Sequence, residues 1–179
     1  NGIISLKSKI SKNDNPYIRS QIKSFKAINK YRRMGLNCYN VVFFQVESPL
    51  RDKNFFIKKF CKLEKQKKKI KVGDINTVRD YSWAPEVMKA VYYLTKLKPC
   101  NIILSSGYGI SGKEILKLAY KENNLNYKKY LIINNSLFRK NEAKVMIGSK
   151  NNTKILKNKF NFQLNLFSKN LVKKMFKSI

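Results

Sequence analysis

Apolar runs of strand length alternate along this chain with segments whose apolar residues recur at helical spacing. Residues 41–46 form a largely β-branched and aromatic run, which predicts a strand buried on both faces of a parallel sheet. Pro49 has no amide hydrogen, so this strand must end there, and Glu47, Ser48 and Arg51 are expected to project beyond its carboxyl end. Ligands bind at that edge of open α/β sheets, so the strand end is the first candidate site.

Further elements are predicted from apolar residues at helical spacing and from apolar runs of strand length. Apolar residues at helical spacing predict helices over 17–33, 55–63, 84–97, 112–122 and 166–176. Short apolar or alternating runs predict strands over 69–73, 101–106, 130–133 and 144–148. This alternation of strands and helices indicates the α/β fold class.

The run from Gly107 to Gly112 reads G-x-G-x-x-G, but it lies late in the chain, and no acidic residue ends a next strand ~20 residues further on. We expect a loop here rather than a dinucleotide-binding turn. Ser111 stands three residues before Glu114, which predicts a capping box at the start of the following helix.

The composition is that of a folded domain. The 179 residues are 43% hydrophobic and include 11 Phe, 10 Tyr and 1 Trp, enough to fill one core. Because the first residue is Asn1, we expect a piece of a longer protein. No window approaches the ~18 apolar residues of a membrane-spanning helix, and the three cysteines have no paired spacing, which favours reduced thiols in the cytoplasm.

A formal net charge of +29 suggests a polyanionic partner. The excess is spread over the whole chain as 33 lysines against six arginines, whereas nucleic-acid readers concentrate arginine and aromatic residues on one face. Arg51, Arg79 and Arg139 fall one each in three polar turns that follow apolar stretches. A fixed guanidinium fork suits phosphate oxygens, so these positions favour a phosphorylated small molecule as ligand.

The sequence contains no histidine. Nucleophile pairs that use histidine, histidine metal sites and imidazole acid-base catalysis are therefore excluded for this chain. Proton transfer must use tyrosine, lysine or a carboxylate, and we predict no metal site.

Four stretches, in this order and spacing, resemble the carboxyl-terminal part of the GDP-mannose 4,6-dehydratases, which are NADP-dependent members of the extended short-chain dehydrogenases/reductases. They are Asn15-Pro16-Tyr17, Glu47-Ser48-Pro49-Leu50-Arg51, Arg79-Asp80-Tyr81-Ser82-Trp83-Ala84-Pro85-Glu86, and Phe138-Arg139-Lys140-Asn141-Glu142 with Gly148 after it. The resemblance implies the end of a Rossmann-like cofactor domain in residues 1–52. It implies a mainly sugar-nucleotide-binding domain in residues 53–179.

The resemblance implies that Tyr17 is the catalytic tyrosine, which takes the proton of the sugar 4-hydroxyl as hydride leaves C4 for the nicotinamide. A tyrosine with a pKa of ~10 is a poor base at neutral pH. In the family a lysine one helical turn later lowers that pKa and holds the nicotinamide ribose. Here that cofactor-binding position is Gln21, which carries no charge.

The remaining roles concern the cofactor and the substrate. By resemblance, Arg51 contacts NADP, reaching it from a neighbouring subunit. Gln45 stands where the family has a substrate-binding residue of different type. Arg79 and Arg139 bind the diphosphate of the nucleotide sugar, and Glu142 orients Arg139. Trp83 and Tyr81 line the site or pack beneath it, with core packing the expected role of Trp83.

The resemblance also places the serine or threonine and the glutamate that complete the reaction upstream of Asn1, so this chain alone is expected to be inactive. The implied partners are GDP-mannose or a related nucleotide sugar and further copies of the chain, as a dimer or tetramer, with no nucleic acid and no membrane. Two alternatives remain at this point: another nucleotide-sugar epimerase or dehydratase of the same family, and a Lys-rich nucleic-acid-binding protein.

Overall fold

The first long helix begins where Asn15 precedes Pro16. In the computed structural model, which describes residues 2–8, 15–139 and 142–179 apart from the side chain of Glu122, the Asn15 side chain accepts a hydrogen bond from the Tyr17 amide at 2.9 Å. This cap satisfies a donor that the helix leaves unpaired, while Pro16 at the first turn has no donor to satisfy. The helix ends at Arg33, two residues before Gly35, which confirms the predicted helix over 17–33.

The helices of the described residues agree with the predicted ones except for one addition. They are α1 (Pro16–Arg33), α2 (Phe56–Lys65), α3 (Ala84–Leu94), α4 (Gly112–Glu122), α5 (Lys154–Phe160) and α6 (Ser168–Ser178). The predicted capping box is present at the start of α4, where the Ser111 and Glu114 side chains each bond to the other's backbone. The short helix α5 was not predicted from the sequence.

The strands are shorter and more numerous than the apolar runs suggested. They are β1 (Gly2–Ile4), β2 (Asn40–Phe43), β3 (Gln45–Glu47), β4 (Ile70–Val72), β5 (Val78–Trp83), β6 (Asn101–Leu104), β7 (Gly109–Ser111), β8 (Leu131–Ile133) and β9 (Val145–Gly148). Among the residues described, β5 is the hub of the largest sheet, which runs β1-β9-β5-β3 in parallel, with β7 pairing antiparallel to β5. β2 pairs with β6, and β4 with β8, both in parallel.

The prediction of one continuous strand over 41–46, buried on both faces, was wrong. The run changes partner at Phe44: β2 pairs with β6, whereas β3 pairs with β5. One face packs into a core through Val41 and Val46. Val42 and Phe43, which point to opposite faces of β2, are 36% and 45% exposed, so neither face of this run is fully buried.

Arg79 lies within β5 and not in a polar turn, which corrects the sequence interpretation of this residue. The strand pattern is concealed by Asp80 and Ser82, two polar residues that are buried in β5. Pairing with β3, β7 and β9 imposes the extended conformation despite the unfavourable strand propensity of aspartate.

Two hydrophobic cores fill the space around these strands. The larger one packs α2, α4 and α6 against β4 and β5, with Tyr81 and Trp83 buried in it, so the core role expected of Trp83 is confirmed. The second packs α3 and α5 against β6. Because β6 pairs with β2, residues 101–104 lie beside the segment expected to end the cofactor domain, and the domain boundary at residue 52 stays a prediction.

A single buried carboxylate joins the ends of three strands. Asp80 is fully buried, and its Oδ1 accepts hydrogen bonds from the Ser106 amide at 3.0 Å and the Ser106 hydroxyl at 2.6 Å. Its Oδ2 accepts from the amides of Gly107 at 2.8 Å and Gly148 at 3.2 Å. The carboxylate thus connects β5 to the loop after β6 and to the end of β9, and four donors offset the cost of burying its charge.

None of the helices that the structure describes is both long enough and apolar enough to cross a bilayer.

Replacing Asp80 with Asn is expected to lower the free energy of unfolding by about 2–3 kcal/mol, because an amide group would place an N–H donor against backbone N–H donors. Urea denaturation followed by circular dichroism measures the change. Asp52→Asn is the matched control: Asp52 is exposed and its Oδ1 accepts the Asn54 amide, a contact that asparagine keeps. An equal loss of unfolding free energy in both variants would show that the hydrogen bonds to Asp80 contribute nothing to stability.

Candidate functional site

The strand end predicted as a candidate site is closed by an internal ion pair. Glu47 is 1% exposed, so it does not project beyond β3 as the sequence suggested. Arg51 Nη1 donates to Glu47 Oε1 at 2.8 Å and also to the carbonyl of Val46. The Arg51 guanidinium carbon lies 3.7 Å from the ring centroid of Phe55. The Arg51 side chain therefore folds back over the end of β3, where its guanidinium is bonded to the Glu47 carboxylate.

Burial controls the protonation of this pair. Loss of hydration raises the pKa of Glu47 from 4.5 to about 7, although the neighbouring Arg51 charge and its hydrogen bond act in the opposite direction. Glu47 Oε2 is buried without a hydrogen-bond partner among the described atoms, which agrees with a carboxyl group that gains little from ionising. The site at this strand end is thus sensitive to pH near neutrality.

Gln45 lies on the same strand, with its side chain exposed. In the β3–β5 ladder it is in register with Tyr81, two residues after Arg79. Its exposed side chain leaves it available to a ligand. Its role as a substrate contact stays a prediction.

Arg79 and Glu142 form the best-defined pair among the predicted site residues. Arg79 Nη2 lies 2.9 Å from Glu142 Oε1, and the two side chains are 14% and 27% exposed. Arg79 Nη1 also donates to the Val78 carbonyl at 2.9 Å, so its guanidinium is held in one orientation. The partner of Glu142 among the described residues is therefore Arg79 and not Arg139, which corrects the expected pairing.

Arg139 is exposed in the segment before β9. Its carbonyl accepts a bond from the Glu142 amide at 3.4 Å, so the two residues stay close along the backbone. Residues 140 and 141 of the same predicted motif lie outside the described residues. An exposed guanidinium at this position is compatible with a phosphate contact.

Tyr17 and Gln21 lie one helical turn apart on α1, which places them on the same face of the helix. Tyr17 is 70% exposed, and Gln21 is exposed as well. The two side chains are thus presented together to solvent. Neither is buried by another described element.

The expected convergence of Tyr17, Arg51, Arg79 and Arg139 on one pocket is not seen. Two surface cavities among the described residues have volumes of about 410 and 320 Å³. None of the seven predicted site residues lines either cavity. The structure joins Arg79 to Glu142 and Arg51 to Glu47, and it sets Tyr17 and Gln21 on one face of α1.

Sequence reasoning missed the role of Asp80, although the residue belongs to one of the four motifs. The signal was the position of this carboxylate between Arg79 and Tyr81, in a stretch of alternating polar and aromatic residues that ends at Trp83. An acid at such a position is expected to be buried and fully hydrogen-bonded. Because Arg79 precedes it in β5, Asp80 fixes the strand from which the Arg79 guanidinium projects.

Solved structures share this fold. MoeE5 in complex with UDP-glucose and NAD matches with a TM-score of 0.84 at 13% identity, over 99% of this chain and 59% of that one. RMD from Pseudomonas aeruginosa complexed with NADPH matches with a TM-score of 0.78 at 16% identity, over 99% of this chain and 62% of that one. The chain thus shares the Rossmann-type α/β fold of these structures, which confirms the predicted fold class.

The sequence itself identifies the family. The model of the family described as GDP-mannose 4,6 dehydratase matches residues 8–175, and the chain belongs to that family. GDP-mannose 4,6 dehydratase 2 of Arabidopsis thaliana is 26% identical over 146 residues, which cover 78% of this chain and 39% of that protein. The chain therefore spans about two fifths of the length of this relative.

The pH dependence of stability follows from Glu47. Its pKa in the folded chain lies above the ordinary 4.5, so the folded chain binds more protons than the unfolded chain between about pH 4.5 and 7. Relative to a Glu47→Gln variant, which keeps an acceptor for Arg51, the wild type should lose stability as pH rises through this window, by at most about 1.4 kcal/mol per pH unit. Below pH 4.5 the difference should level off.

Urea denaturation at several pH values measures both chains, with Asp52→Asn as the control for removal of one carboxylate. A wild-type stability that rises relative to Glu47→Gln between pH 4.5 and 7 would contradict the assignment.

Proposed function

We propose that this chain is the sugar-nucleotide-binding part of a GDP-mannose 4,6-dehydratase-like lyase. The reaction oxidises the sugar at C4, eliminates water across C5 and C6, and returns the hydride to C6. The observation that carries the proposal is the family match over residues 8–175, a range that includes all four motifs. The activity belongs to a protein that also supplies the base for C5, which this part of the sequence does not contain.

Arg79 is proposed to bind the diphosphate of the nucleotide sugar. Its guanidinium is oriented by Glu142 and by the Val78 carbonyl, and it is only 14% exposed. A pre-oriented fork loses little conformational freedom when it binds two phosphate oxygens. Arg139, exposed in the segment before β9, is proposed as the second cation of the diphosphate site.

Tyr17 is proposed as the residue that accepts the proton of the 4-hydroxyl. Gln21, one turn further on, can donate a hydrogen bond to the nicotinamide ribose but supplies no positive charge to stabilise a phenolate. The proposed enzyme therefore binds its ligands and reacts slowly.

The cofactor is proposed to be NADP, which accepts the hydride from C4 and delivers it to C6. The structural neighbour RMD is complexed with NADPH and MoeE5 with NAD, which supports a nicotinamide dinucleotide. Arg51 is proposed to contact its phosphate from a neighbouring copy in a dimer or tetramer, as the resemblance implies. Such binding would have to draw Arg51 away from Glu47. We further propose a cytoplasmic location.

A second candidate keeps the family fold and changes the substrate to another nucleotide sugar, as an epimerase or a different dehydratase would. MoeE5, with the same fold, is complexed with UDP-glucose, which favours this alternative. The substrate is decided by which nucleotide sugar the chain binds most tightly.

GDP-mannose is expected to stabilise the chain more than UDP-glucose or free GDP does. A ligand present at 100 times its Kd adds about 2.7 kcal/mol to the free energy of unfolding, and thermal denaturation across the three ligands ranks them. Equal shifts for all three would contradict the assignment to GDP-mannose. A larger shift with UDP-glucose would favour the second candidate.

Arg79→Gln is expected to weaken GDP-mannose binding about 10- to 100-fold, because a charged hydrogen bond to phosphate contributes about 1.5–3 kcal/mol. Isothermal titration calorimetry measures the Kd. Arg33→Gln, at an exposed arginine near the end of α1, removes the same charge elsewhere and should leave the Kd within twofold. If both variants lose the same affinity, Arg79 contributes only a general electrostatic attraction for the anionic ligand.

Gln21→Lys is expected to tighten NADP binding severalfold, since an ammonium group replaces a neutral amide beside the ribose and phosphates. Gln66→Lys adds the same charge at an exposed position after α2 and controls for the attraction of any anion. Fluorescence titration with NADPH measures both. An equal gain in NADPH affinity in the two variants would show that Gln21 does not contact the cofactor.

A further inference from the structure

A concave basic surface lies apart from all seven predicted site residues. The cavity of about 410 Å³ opens between the loop after β6, the segment that carries α5, and the approach to α6. Its polar lining includes three lysines and three amide side chains, namely Lys150, Lys154, Lys157, Asn151, Gln163 and Asn165. Its volume falls within the range of about 300–1,000 Å³ that is typical of small-molecule sites.

The three lysines make the charge that lines this cavity positive. They stand at spacings of four and three residues, which places them along one face of the helical segment. All the charged residues that line the cavity are lysines, and none of the three ion pairs found among the described residues includes them. A concave wall of like charges concentrates the positive potential and attracts anions.

The loop after β6 forms a fixed wall of the cavity. The Asp80 carboxylate holds the amides of Ser106 and Gly107, and the side chain of Lys150 lies directly across Gly107. A Cβ at Gly107 would come within 2.5 Å of Lys150 Cγ, so glycine permits this approach. The Lys150 Nζ then lies 4.0 Å from the ring centroid of Tyr108, which orients the ammonium group.

The opposite wall is fixed in the same way. The rings of Tyr108 and Phe167 stack with centroids 4.5 Å apart and an interplanar angle of 7°, and Phe167 forms a β-bridge with Ser82 of β5. Glu86 Oε2 accepts the amides of Asn165 and Leu166 at 2.9 Å each. The cavity is therefore formed before any ligand arrives, which reduces the conformational cost of binding.

Two carboxylates lie behind these walls, and neither neutralises the lysines through an ion pair. Both oxygens of Asp80 accept bonds from the loop and from Gly148, and Glu86 is bonded to backbone amides. Their charges reduce the field in the cavity but leave the three ammonium groups available to a ligand.

We propose that this cavity binds a phosphorylated monosaccharide. The ammonium groups of Lys150, Lys154 and Lys157 bind the phosphate as point charges. The amides of Asn151, Gln163 and Asn165 offer donors and acceptors suited to sugar hydroxyls. A nucleotide or a nucleic acid fits less well, because Phe167 stacks on the Tyr108 ring and the Lys150 ammonium lies over that ring, so a base would have to displace one of these contacts. This proposal does not depend on the proposed dehydratase activity.

The test is a titration of the whole chain with glucose 6-phosphate, inorganic phosphate and glucose, followed by amide NMR shifts and calorimetry. We expect glucose 6-phosphate to shift the amides of residues 105–108, 150–157 and 163–167, and to bind at least tenfold more tightly than either phosphate or glucose. Arg79→Gln should leave this binding unchanged, which separates the cavity from the proposed diphosphate site. Shifts scattered over lysines elsewhere, or equal affinity for phosphate and glucose 6-phosphate, would overturn the proposal.

The triple variant Lys150→Gln, Lys154→Gln and Lys157→Gln should lose glucose 6-phosphate binding at least tenfold. The matched control, Lys117→Gln, Lys121→Gln and Lys128→Gln, removes the same charge from exposed positions outside the cavity and should bind as the wild type does. Equal losses in the two variants, or equal binding of a single-stranded oligonucleotide by both with no preference for the sugar phosphate, would show general attraction of anions. If the first triple variant does not fold, the NMR map of the wild type decides the question.

Discussion

The buried carboxylate of Asp80 is the interaction on which the arrangement of this chain depends. It receives four hydrogen bonds from Ser106, Gly107 and Gly148, and so it joins the central strand to two segments that are distant in sequence. A charge in such a position is tolerated only when its donors are all in place. The same contacts set the end of β9 and the loop after β6, which forms one wall of the basic cavity, and they hold β5, the strand that carries Arg79.

The arginines at the two best-defined parts of the candidate site are already paired with carboxylates. Arg51 is bonded to Glu47 and Arg79 to Glu142, so a phosphate that binds either guanidinium must compete with an internal acid. A diphosphate, with more charge and more acceptor oxygens than a carboxylate, competes well. The pairs therefore favour strongly charged ligands over singly charged ones and keep the arginines oriented when no ligand is bound.

Hydrophobic periodicity predicted the fold class and most helices, because their apolar faces are packed into the two cores. It failed at β5, where Asp80 and Ser82 conceal a central strand, and at residues 41–46, where the chain changes partner at Phe44. Those features depend on pairing between remote segments, which local pattern does not encode. Motif order indicated the family, but it could not show that Glu142 pairs with Arg79, since that contact spans 63 residues.

The pairing of β1 with β9 has a consequence for the synthesis of the chain. Gly2, Ile3 and Ile4 lie in register with residues 146–148, and the Asn152 side chain donates to the Ile4 carbonyl. Among the described residues, β1 pairs with β9, so this ladder forms only after some 140 further residues have been synthesised. Such long-range parallel closure is slow, and an unpaired strand edge is a template for association. The β1–β9 ladder therefore belongs to the part of the fold that closes late.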